Sequence, residues 1–163
     1  MSELFSFPNP VNEKAARVVA AGVVLLCLLA LLPGLTWLAL PIAVGFGLRV
    51  ASGPRFSPLG LLATRLVAPR LGAPKPVPGP PKRFAQAIGA TLSSAAAIAA
   101  VGFGAIGAAQ VLLGMIVLAA TLESAFAVCL GCLLFAQLMR VGVISPDVCR
   151  ACQDVRLRYS ENG

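Results

Sequence analysis

Four long apolar runs, separated by basic or turn-forming segments, constrain this chain more than any other feature. They span about residues 15–32, 35–50, 84–104 and 109–139. A helix crosses a bilayer with ~20 mostly apolar residues, so each run is read as a membrane helix. Only Pro33-Gly34 parts the first two runs, and the stretch from Gly102 to Gly107 parts the last two. Two helical hairpins follow. Charged residues make up 12% of the 163, against roughly a quarter in soluble domains, while 58% are hydrophobic and the mean hydropathy is +0.90. That composition excludes a disordered chain, a coiled coil, a collagen-like chain and a small disulfide-rich module. The expected fold is all-α, a polytopic membrane protein of four transmembrane helices.

The first run follows Lys14 and Arg17 as a signal sequence would, but no small-residue cleavage site comes after it. It is therefore read as a retained helix. The second run carries Pro41, which membrane helices tolerate where neighbours satisfy the freed carbonyl. Residues 51–83 change character, with Pro, Gly and basic residues between short apolar stretches. Ser57-Pro58 has the form of an N-cap with Pro at the first helical position. Leu59, Leu62 and Leu66 then share a face, so 58–68 is expected to be a short helix lying in the interface, with Arg65 and Arg70 near headgroups. The Pro-rich stretch from Ala73 to Pro81 is expected to be an extended connector. In the third run Ala85, Gly89, Ser93 and Ala97 form a small-residue stripe that admits a close helix neighbour.

Charge sets the expected orientation. The 13 Lys and Arg, against 6 Asp and Glu, give a net charge of +7. None lies in the turns near Pro33 or Gly104. The positive-inside rule then places residues 1–14, the loop 51–83 and the tail 141–163 on the cytoplasmic side of a bacterial plasma membrane. The basic residues lie between apolar runs rather than on one face of a soluble core, so no nucleic-acid partner is expected. The chain has no His. Ser-His-Asp chemistry is excluded.

The candidate chemistry lies in cysteine. Cys129-Leu-Gly-Cys132 falls inside the fourth run, and Cys149-Arg-Ala-Cys152 falls in the tail with Arg150 between its members. Thiolate is the reactive form, and nearby positive charge favours it. Three readings stand. The pairs exchange thiol–disulfide equivalents with each other or with a soluble partner. Alternatively, Cys129, Cys132, Cys149 and Cys152 together hold zinc or an iron–sulfur cluster, for which the spacing is suitable. Or the buried pair is inert packing. In a regular helix Cys129 and Cys132 share a side, yet a disulfide needs Cβ geometry that a helix interior does not readily provide. Gly131 offers a place for distortion.

Glu123 is the only acidic residue inside an expected span. It is a possible proton or polar partner, expected in the outer half about 25 Å from Arg140. On a regular helix it points away from both thiols. Capping the external hairpin, or pairing with Ser93-Ser94, is the plainer role. Cys27 is expected at the depth of Cys129, within reach if the first and fourth helices are neighbours.

Phe7-Pro8-Asn9-Pro10-Val11-Asn12-Glu13, Gly53-Pro54-Arg55-Phe56-Ser57-Pro58-Leu59, and Glu123-Ser124 followed by Cys129-Leu-Gly-Cys132 together resemble the bacterial membrane family catalogued as domain of unknown function 4395. The resemblance covers about residues 5–140, and Glu-Ser…Cys-x-Gly-Cys is its most specific element. Members of the family occur beside thioredoxin-like or sulfurtransferase proteins, which implies thiol or sulfur chemistry and a partner of that type. Cys149 and Cys152 lie outside the resemblance.

The expected function is thiol redox exchange between the intramembrane pair and the cytosolic pair or a thioredoxin-like partner. A quinone is a candidate electron acceptor, by analogy with other membrane thiol oxidoreductases. Transport or binding of a small sulfur species, and a structural role in a larger membrane complex with inert cysteines, are the alternatives.

Overall fold

The computed structural model describes residues 7–8, 10–145 and 147. Those residues are almost entirely helical. The element order is β1 (Val11–Asn12), α1 (Glu13–Ala30), α2 (Ala39–Ser52), α3 (Pro58–Leu62), β2 (Pro76–Val77), α4 (Gly79–Ala97), α5 (Ile106–Phe126) and α6 (Leu130–Val141). The two short strands pair antiparallel, Val11 with Val77 and Asn12 with Pro76. They tie the start of α1 to the start of α4.

Local chemistry explains the boundaries. Asn12 caps α1, its Oδ1 accepting from the Lys14 N–H at 3.1 Å. Gly34, with φ of 80°, turns the chain into a 3-10 turn at Thr36–Leu38. The second helix starts later than the sequence suggests, so Pro41 falls in its first turn, where its missing N–H costs nothing. Ser57 caps α3 and accepts from the Gly60 N–H. The helix continues through a π turn (Ala63–Val67) and a 3-10 turn (Ala68–Leu71). The wide π turn comes just before Pro69, which cannot donate to the ladder and whose ring crowds the carbonyl four residues back.

The α3 segment packs on the bundle by its small residues. Its small residues Gly60, Ala63 and Ala68 are buried, and Leu62 and Leu66 are exposed. Leu59 lies against Gly22 of α1, and Lys14 Nζ donates to the Leu71 carbonyl at 2.8 Å. The segment therefore lies along α1. The Pro-rich connector is also shorter than expected, because α4 already starts at Gly79 with Pro80 and Pro81 in its first turn.

The bundle pairs helices across the hairpins. α1 packs mainly on α5 and α2 mainly on α4, while α1 and α2 touch each other little. The α3 segment fills part of the gap between them. Gly89 brings α4 against the Phe46 ring of α2, and Ser93 and Ala97 of the same stripe are buried. Val19, Val23, Cys27, Ile42, Leu113 and Ile116 form much of the core. By length and composition three helical stretches suit a membrane crossing, at Thr36–Leu71, Gly79–Gly102 and Ile106–Phe126.

The expected fourth helix over 109–139 is two helices. α5 ends at Phe126, Ala127 takes a left-handed conformation with φ of 57°, and α6 starts at Leu130. Ala127 is the one non-glycine with positive φ among the described residues. With 12 residues α6 is about 18 Å long, too short to cross a bilayer. It packs on the start of α4, where Gly131 meets the Ala85 backbone and Phe135 meets Phe84 with ring centroids 5.6 Å apart.

Candidate functional site

The break between α5 and α6 places the first cysteine pair at a helix N-terminus. Cys129 is the N-cap of α6, in extended conformation, and its Sγ accepts from the Cys132 N–H at 3.3 Å. The Cys132 thiol donates to Cys129 Sγ at 2.6 Å. A helix N-terminus carries unpaired N–H groups and partial positive charge, both of which favour a thiolate. The difficulty of closing a disulfide inside a regular helix is removed, because the pair is not inside one.

Arg17 fixes the end that leads to the break. Its Nε and Nη2 donate to the Ser124 carbonyl at 3.1 and 3.0 Å, and Nη2 also donates to Ala125 at 3.4 Å. The guanidinium thus caps the last turn of α5 from the first turns of α1. This corrects two expected depths. Ser124 lies level with Arg17, so Glu123 sits at the basic end of the bundle rather than in the outer half. Cys27 lies ten residues beyond Arg17, about 15 Å further along α1. It is fully buried in the core and does not share a level with Cys129.

Glu123 has a partner that the sequence reading missed. Its Oε1 is 2.5 Å from Lys82 Nζ, and both side chains are largely buried. It neither caps a hairpin turn nor pairs with Ser93, whose hydroxyl donates to the Gly89 carbonyl. Glu123 and Cys129 together line a cavity of about 320 Å³ between α4, α5 and α6, otherwise mostly apolar. The wheel that pointed Glu123 away from the thiols assumed a continuous helix. Lys82 falls in the expected loop 51–83, although Pro80 and Pro81 just before it signal a helix start.

The two thiols are electrostatically unequal. The hydrogen bond from Cys132 holds the Cys129 thiol below its ordinary value of 9.0, outweighing burial, while Glu123 raises it and Lys82 opposes that rise. The bond to Cys129 pushes Cys132 far up, and burial adds to the rise. One sulfur is prepared to ionise and its neighbour holds its proton. Among the described residues no group of three or more Cys, His, Asp or Glu converges as a metal site. Cys149 and Cys152 lie outside the described residues.

Fold and site together define a helical protein with membrane-type helices and a dithiol at the start of a short helix. The chain belongs to the family described as a domain of unknown function (DUF4395), whose model matches residues 11–140. No curated protein and no solved structure matches it.

Proposed function

We propose that this is a bacterial plasma-membrane protein that exchanges thiol–disulfide equivalents, with Cys129 the attacking thiol and Cys132 the resolving one. The observation that carries the reading is Cys129 Sγ at the N-cap of α6, hydrogen-bonded by the Cys132 N–H and thiol. The Cys129 thiolate attacks a partner disulfide, forming a mixed disulfide and releasing one partner thiolate. Cys132 gives up its proton and attacks Cys129 Sγ, releasing the second partner thiolate. Two electrons and two protons pass to the partner as Cys129–Cys132 closes, and the reverse sequence reduces it.

The partner is the tail pair Cys149 and Cys152 or a thioredoxin-like protein. Four spans, α1, α2, α4 with the π turn Ile98–Gly102 that extends it, and α5, would put both termini and the dithiol at the cytoplasmic end. The clustering of Lys14, Arg17, Lys82 and Arg83 at that end supports this orientation. Purified protein with Cys149 and Cys152 changed to Ser should take electrons from a dithiol donor and release them to a disulfide acceptor. Cys129→Ser should lose at least a hundredfold in rate. Equal rates with and without Cys129 would end the proposal.

A further inference from the structure

Arg49 lies near the C-terminus of α2 and is 5% exposed. A cation in that position is costly unless something compensates its charge. Its direct contacts are all neutral. Nε donates to Gln86 Oε1 at 2.9 Å, Nη1 donates to Ser57 Oγ at 3.2 Å, and the guanidinium carbon is 4.5 Å from the Phe46 ring centroid. Three acidic residues are described, and each is engaged elsewhere. Glu123 holds Lys82, Glu13 holds Lys75 at 3.0 Å, and Asp147 interacts with Ser145 beyond α6. No carboxylate among the described residues is in salt-bridge contact with Arg49; Glu123, held by Lys82, acts on it only at a distance.

Arg49 also faces a cavity. A space of about 240 Å³ lies between the N-terminal segment, α1, α2, the α3 segment and α4. Arg49, Lys82, Gln86, Asn12 and Thr64 supply its polar lining, and no carboxylate lines it. Two cations, of which Lys82 is already paired with Glu123, two amides and a hydroxyl around a space of that size suit a small group with several acceptor oxygens. Guanidinium in particular matches phosphate-type oxygens through its planar fork of donors.

We infer that this cavity binds a tetrahedral oxyanion of the phosphate or sulfate class, held by Arg49 and flanked by Lys82. The oxyanion is either free in solution or the phosphate of an anionic lipid, which the chemistry of the cavity accepts equally. The site adjoins the dithiol cavity through Gln86 and Lys82, and its occupancy does not require the thiols to react. Its occupant supplies the direct anionic contact that Arg49 lacks among the described residues.

The test uses full-length protein, freed of lipid in a non-ionic detergent, with thermal unfolding as the readout. In one arm, sodium sulfate or phosphate replaces sodium chloride at constant ionic strength. In the other, the protein is placed in phosphatidylcholine nanodiscs with or without phosphatidylglycerol, and native mass spectrometry counts retained anionic lipid. A ligand that binds only the folded state raises Tm with its concentration. A rise in the first arm identifies a free anion, and retained lipid with a rise in the second identifies a headgroup. Arg49→Gln should abolish the effect, and Arg49→Lys, which keeps the charge without the fork, should weaken it about tenfold. Ala16→Leu, which fills the cavity and leaves Arg49 in place, serves if neither Arg49 variant folds, and should also abolish it. No stabilisation in either arm overturns the inference. So does an effect that persists unchanged in Arg49→Gln or Ala16→Leu.

Discussion

Lys82 near the start of α4 and Glu123 near the end of α5 form an ion pair at 2.5 Å beside the dithiol. The pair joins the first turn of one helix to the last turn of its hairpin partner, immediately before the chain breaks to present Cys129. Both charges are largely shielded, so each depends on the other. Removing one partner of a shielded pair strands the remaining charge, which costs about 3–5 kcal/mol, whereas replacing both with apolar groups is often neutral. Lys82→Met should therefore destabilise the protein by about that amount, and Lys82→Met with Glu123→Leu should recover most of it. Urea unfolding in detergent measures both. Equal losses in the single and double variants would mean that the pair has no such coupling.

Thiol reactivity should separate the two cysteines by pH. The Cys129 thiol is held below 9.0 by the Cys132 hydrogen bond and by Lys82, while Cys132 is raised. Between neutral pH and 9, Cys129 then holds a larger thiolate fraction, and its reaction slows as pH falls through its lowered pKa. The sign for stability is the same. A group whose folded pKa is depressed stabilises the fold above its unfolded pKa, and loses that contribution as pH falls through the folded value. Iodoacetamide pulses between pH 6 and 9, mapped by peptide mass spectrometry, should label Cys129 first. Lys82→Met should shift its profile to higher pH. Preferential labelling of Cys132 would reverse the assigned roles.

Much of the helical plan is legible from apolar length and from turn residues at Pro33-Gly34 and Gly104. The break at 127–129 is not, because no Gly or Pro marks it and Ala127 is an ordinary helix former. Its left-handed conformation is imposed by tertiary contacts, with Arg17 capping α5 and Gly131 seating α6 on Ala85. The excessive length of the apolar run was a signal that it held more than one helix. Cys129 itself was recognisable as chemistry, but its role as an N-cap emerges only once the helix is divided. Arg49 enters the sequence reading only as one of the 13 basic residues in the charge count, because burial without a carboxylate in contact is a relation between distant segments.

The division can be tested at its two ends. Ala127→Gly removes the left-handed penalty and should stabilise the protein by about 1 kcal/mol. Gly131→Ala places a methyl against the Ala85 backbone and should cost about 1–3 kcal/mol, more than Gly114→Ala, where a Cβ meets open space. Thermal unfolding of the three variants checks the order. A destabilising Ala127→Gly would argue for a continuous helix through residue 127.

Orientation has its own outcome. Cysteines introduced at Gly34 and Ala105, in a background lacking the native ones, should react with a membrane-impermeant maleimide added outside intact cells. Native Cys149 and Cys152 should react only after the membrane is opened. External labelling of the tail would invert the topology and remove the cytosolic partner from the account.

The most direct measurement is the redox state of Cys129 and Cys132 in native membranes, trapped by acid and read by differential alkylation and mass spectrometry. Poised across a series of reduced and oxidised dithiothreitol ratios, the two sulfurs should convert together between dithiol and an intramolecular disulfide, as one two-electron couple. In Cys132→Ser, Cys129 should instead accumulate in a mixed disulfide with its partner. Two thiols that remain reduced at every ratio, with no mixed disulfide in the variant, would contradict the exchange function.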